Sequence, residues 1–61
     1  MNLKNIRQAQ KISQKQLADK LGVDQTTISK WEKGKAYPSI NKLKKVSNIL
    51  ICSVDDLIGE G

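Results

Sequence analysis

The sequence predicts an all-α domain, and three features carry that expectation. Apolar residues recur three or four positions apart along the chain, as on one face of a helix, and nowhere alternate as in a strand. Ser13, Asp24, Ser39 and Ser53 each stand just before such a pattern, where a helix takes its N-cap. Gly22 and Gly34 each follow one, where a helix stops, and Pro38 breaks the chain before the next. The result is five helices, at about residues 2–11, 14–21, 25–33, 40–50 and 54–58, in a single domain over residues 1–61.

Each element has its own justification. The first helix carries a narrow stripe of Leu3, Ile6 and Ala9, with Ile12 following. Ser13 opens the second, and Gln16 three residues on completes a capping box. Leu17, Ala18 and Leu21 form its inner face, and Gly22 ends it in the left-handed conformation that a β-carbon disfavours. Val23 bridges the turn, and Asp24 caps a third helix whose inward positions are Ile28 and Trp31. After the stop at Gly34, Pro38 and Ser39 break and cap. Ile40, Leu43, Val46 and Leu50 line the fourth helix. Ser53 caps a short fifth, with Val54, Leu57 and Ile58 inward.

Composition narrows the function. A chain of 61 residues has a small core, about 60% of its surface being buried on folding. Cys52 is the only cysteine, so no disulfide supplements that core, and the pattern fits a reducing cytoplasm. The absence of histidine removes the usual neutral-pH base and imidazole ligand, and Asp55 and Asp56 diverge by about 100° on a helix. An enzyme is therefore not expected, nor is a metal or other cofactor. The longest apolar run, Ile49 to Cys52, is far too short to span a membrane, and no secretory signal opens the chain. Residues 1–50 hold all eleven cations against three acids, a formal +8 that points to a polyanion, nucleic acid before membrane.

The third helix sharpens that reading. On a wheel of about 100° per residue, Thr27, Ile28 and Trp31 cluster on one side. Thr26, Ser29, Lys30 and Lys33 cluster opposite, with Gln25 at their edge, and no carboxylate among them. Gln reaches an adenine edge, Thr offers a hydroxyl and a methyl, and Lys takes guanine or a phosphate. A carboxylate there would face phosphates and weaken binding to any sequence. The nearby acid, Glu32, either pairs with Arg7 on the flank of the first helix or stands as an independent surface charge. The N-terminus of the second helix, with Gln14 in its first turn, offers free N–H groups and a positive dipole end to a phosphate.

These positions together resemble the Cro/repressor-like (XRE-type) helix-turn-helix family. The matching positions are Ile12-Ser13-Gln14, Leu17-Ala18, Gly22, Thr27-Ile28-Ser29, Trp31-Glu32, Gly34-Lys35 and Pro38-Ser39, in register from Leu3 to Ile58. The resemblance implies a compact five-helix domain that binds double-stranded DNA as a transcriptional regulator, a repressor, in the cytoplasm of a prokaryote or phage. Carried over by position, it places Gln25, Thr26, Ser29 and Lys30 at major-groove base edges. Gln14, Lys33 and Lys35 fall at phosphates, and Arg7 and Glu32 in a structural salt bridge. A protein-interaction module of the same fold, such as an antitoxin or anti-repressor partner, is the alternative.

Two residues depart from the family pattern. Asp24 stands where Ser or Thr is commoner, which puts a carboxylate at the rim of the DNA face while keeping an N-cap. Ile51 stands where Gly often follows the fourth helix. Since a left-handed β-branched residue would cost about 1–2 kcal/mol, the fourth helix is expected to end differently here. Ile49 and Ile51, joined by Ile58, are expected to form a small isologous contact, burying less than ~1,200 Å², that gives a weak homodimer. The domain consumes all 61 residues, so no small-molecule effector site is expected. Cys52 is expected to be an inert core thiol.

Overall fold

Residues 1–59 are described by a computed structural model, and five helices make up its regular structure. They are α1 (Leu3–Ala9), α2 (Gln14–Leu21), α3 (Gln25–Glu32), α4 (Ile40–Ile49) and α5 (Val54–Ile58), with no strand among the described residues. Residues 60–61 of the expected domain lie outside that range.

One three-residue turn is used three times. In each case a residue of positive φ is followed by a half-buried apolar residue and then an extended N-cap. The series are Lys11-Ile12-Ser13 between α1 and α2, Gly22-Val23-Asp24 between α2 and α3, and Ile51-Cys52-Ser53 between α4 and α5. The apolar middle residues Ile12, Val23 and Cys52 all pack on the core, so each turn is anchored from within.

Left-handed residues also explain why α1 and α4 are shorter than their apolar patterns. Lys11 (φ 58°) and Ile51 (φ 51°) close the preceding turns. Ile12 N–H reaches Arg7 O at 3.1 Å and Cys52 N–H reaches Ser47 O at 3.0 Å, so the last carbonyls find partners. The same closure at Gly34 (φ 75°) carries Lys35 N–H to Lys30 O at 2.9 Å. The expectation that α4 ends in some other way is therefore corrected. Ile51 adopts the left-handed conformation despite its β-branch.

Every helix contributes to the core. Leu3 comes from α1, Leu17, Ala18 and Leu21 from α2, and Ile28 and Trp31 from α3. Leu43 and Val46 from α4, the adjoining Leu50 and α5's Leu57 complete it. α2 packs on α3 and α4, α5 packs on α4 and α1, and Asn2 N–H donates to Leu57 O at 2.7 Å. Capping boxes pair Ser13 with Gln16 and Ser53 with Asp56, and the Ser39 hydroxyl accepts from Lys42 N–H.

Other inward assignments need correcting. Ile40 is 58% exposed: the apolar stripe of α4 turns by about 60° every three residues, and Ile40 is left at its solvent end. Ala9 and Ile58 are exposed, each at the last position of its short helix. Asp24 occupies the N-cap of α3, yet its carboxylate makes no capping hydrogen bond.

Candidate nucleic-acid interface

Burial of Ile28 and Trp31 fixes the rotation of α3 and turns its opposite side outward. Gln25, Thr26, Lys30 and Lys33 are exposed there, and Ser29 is half-buried. Gly34 then turns the chain back: the Lys35 and Ala36 N–H groups both donate to Lys30 O, at 2.9 and 3.4 Å. That return brings Lys35 to the same surface. Thr26, Ser29, Lys30, Lys33 and Lys35 line one open depression of about 240 Å³. Three ammonium groups and two hydroxyls around an open hollow make a strongly anion-attracting surface with hydrogen bonds to both donate and accept. Gln25 and Gln14 do not line the depression.

Glu32, the one acid of α3, is withdrawn from this surface. Its side chain is 3% exposed and that of Arg7 8%. Arg7 Nε donates to Glu32 Oε2 at 2.7 Å, and Arg7 Nη2 to Oε1 at 3.3 Å. Arg7 Nη1 donates to Ile12 O at 2.7 Å, which ties the ion pair to the α1–α2 turn. Gln14 Nε2 also donates to Glu32 Oε1, at 2.9 Å. This last bond is not apparent in the sequence, because Gln14 and Glu32 are eighteen residues apart and meet only through the α2–α3 packing.

Asp24 is the acid that remains exposed at the start of α3. Tyr37 (64% exposed) and Ile40 lie just beyond Lys35 and Ala36, and neither stood out in the sequence as a surface group. The only available signal for Tyr37 was its place in an irregular stretch between two helices.

The three isoleucines expected at a dimer contact differ in accessibility. Ile51 is 88% exposed and Ile58 42%, whereas Ile49 packs against the core and offers only part of its surface. Cys52 is half-buried, and burial, then the nearby Asp56 charge, pushes its thiol above the usual value. No cluster of metal-ligating side chains occurs among the described residues, and no described helix is long and apolar enough to cross a membrane.

Comparison with known sequences bears on this surface. A family model described as helix-turn-helix matches residues 3–57. The HTH-type transcriptional activator BcrR of Enterococcus faecalis is 41% identical over 56 residues, 92% of this chain and 28% of that protein. The cryptic phage CTXphi transcriptional repressor RstR of Vibrio cholerae is 37% identical over 57 residues, 93% of this chain and 51% of its own. The SPbeta prophage-derived uncharacterized HTH-type transcriptional regulator YonR of Bacillus subtilis is 43% identical over 56 residues, 92% of this chain and 52% of its own. The chain thus spans about half the length of two of these relatives and about a quarter of the other.

Proposed function

Because the chain belongs to the helix-turn-helix family, as the match over residues 3–57 shows, we propose that it binds double-stranded DNA in a sequence-specific manner with α3 in the major groove. One observation carries the reading: the exposed side of α3 has no carboxylate, its single acid being paired inside the domain. Gln25, Thr26, Ser29 and Lys30 face base edges, and Gln14, Lys33 and Lys35 hold the phosphates on either side. Asp24, uncommitted at the N-cap, accepts from a cytosine amine.

The domain acts as a small cytoplasmic transcriptional regulator. The relatives include one named an activator and one named a repressor, and repression is the simpler outcome, since a bound domain blocks polymerase without any further contact. Two copies join weakly through Ile51 and Ile58, with Ile49 at the margin, and so engage half-sites ~34 Å apart.

A gel-shift salt titration on duplexes selected from a random library tests the proposal. Binding through several Lys contacts and counterion release gives an affinity that falls steeply with salt, together with an enriched, preferably palindromic, sequence. Affinity indifferent to salt, or a library with no enriched sequence, would overturn it.

A further inference from the structure

We infer that Glu32, held by Arg7, is a positioning residue for the DNA contact of Gln14, so that the interior ion pair sets phosphate affinity as well as stability. The inference rests on the reading of Gln14 as a phosphate-binding residue. Its starting point is the bond from Gln14 Nε2 to Glu32 Oε1 at 2.9 Å. Gln14 is the first residue of α2 and Glu32 the last of α3. Their bond is the one side-chain hydrogen bond found between these two helices among the described residues.

A carboxylate only accepts, whereas the carboxamide nitrogen carries two donors. Glu32 therefore takes one N–H of Gln14, and the other has no protein partner among the described residues. Gln14 is half-exposed at the end of α2 where free backbone N–H groups gather. An unrestrained Gln would lose its rotamer freedom on meeting a phosphate. Tethered to a buried carboxylate, this one has lost much of that freedom already, an advantage of about two- to tenfold in affinity. Arg7 is the second half of the device. Its Nε and Nη2 both engage Glu32, so the tether brings no net negative charge toward the phosphate.

The tether makes the effects of Gln14 and Glu32 interdependent, which a purely structural ion pair would not. The test is a double-mutant cycle on operator affinity with Gln14→Ala, Glu32→Gln and both together, corrected for the folded fraction by circular dichroism. Gln14→Ala should weaken binding about tenfold. Glu32→Gln also frees the Arg7 charge, equally in both backgrounds, so the tether is read as the coupling. The loss caused by Gln14→Ala should be about two- to tenfold smaller once Glu32 is glutamine. Equal losses in both backgrounds would overturn the positioning role. If Gln14→Ala binds as wild type, the phosphate role of Gln14 fails, and the inference with it, while DNA binding as such stands.

Should Glu32→Gln not fold, side-chain amide NMR on the wild-type protein decides. Without DNA, the Gln14 carboxamide should be rigid by side-chain nitrogen relaxation, with slow exchange of its bonded N–H, while that of exposed Gln8 moves freely about its side-chain torsions. A Gln14 amide as mobile as that of Gln8 would sink the proposal.

Discussion

The α2–α3 and α4–α5 pairs share a plan and differ in what they show to solvent. In the first, Gly22, Val23 and Asp24 join the helices. In the second, Ile51, Cys52 and Ser53 do, with the same order of left-handed residue, core-facing residue and extended cap. Only the first is relaxed, since a left-handed glycine is unstrained and a left-handed isoleucine is not. What both retain is the apolar middle residue, so the anchor, rather than the glycine, is what the turn requires. The surfaces diverge further. α3 turns outward an amide, hydroxyls and lysines, whereas the second pair turns outward Ile51 and Ile58 beside Asp55 and Asp56, with Ile40, Lys44 and Lys45 exposed along α4. α3 itself shows cations and no exposed carboxylate, and the α4–α5 pair mixes exposed isoleucines with charges of both signs.

The largest expected effect breaks the comparison, because it strikes the core beneath both pairs. Trp31 is 5% exposed, and Trp31→Ala should cost about 3–5 kcal/mol, enough to unfold a domain of this size. Thermal denaturation by circular dichroism checks it. A folded variant that had lost only DNA binding would instead place Trp31 at the interface.

Next come changes that should leave stability alone and affect only the polar side. Gln25→Ala and Lys30→Ala should each relax preference at particular base pairs by about 1–3 kcal/mol, read by competition between operator and single-base variants. Lys35→Ala should weaken operator and random duplex alike and lower the salt slope by about 1. A uniform loss from all three would erase the division between base-reading and phosphate-holding residues.

How much of this was legible in the sequence depends on whether the chemistry was local. The Ser13–Gln16 box, the stop at Gly22 and the inward Ile28 and Trp31 each follow from residues within one turn of each other. The left-handed Lys11 and Ile51 run against local preference and are imposed by the anchors that follow them, Ile12 and Cys52. Ile40 had the right periodicity and is exposed because no helix covers that end of the stripe. The tie between Gln14 and Glu32 is tertiary, invisible until α2 and α3 are packed.

A smaller effect sharpens the contrast between the two turns. Ile51→Gly should raise stability by up to about 1 kcal/mol, as relief of left-handed strain outweighs the entropy glycine gains in the unfolded chain. Gly22→Ala should lower it by about 1–2 kcal/mol through backbone conformation alone, since a β-carbon there meets nothing within 4 Å. Urea denaturation of the two variants measures both. Opposite signs would confirm that the turns share a geometry and differ in strain, whereas destabilisation by Ile51→Gly would mean that the isoleucine is held by contacts within its own chain.

The smallest effect concerns why a strained and almost fully exposed isoleucine persists at all. A contact that covers Ile51 would offset its strain by removing apolar surface from water, and Ile58 adds a second exposed aliphatic group. Two isoleucines cover little area, so the association should be weak in solution and gain strength on a palindromic operator that holds two copies close together. Ile51→Lys with Ile58→Lys tests this without touching the half-buried Ile49, whose replacement would disturb packing. Sedimentation at high protein concentration should show wild type in monomer–dimer exchange and the double variant monomeric, with cooperativity on a two-half-site operator lost and affinity for a single half-site kept. If both proteins are monomers and bind the full operator with equal cooperativity, the apolar side is not a self-contact.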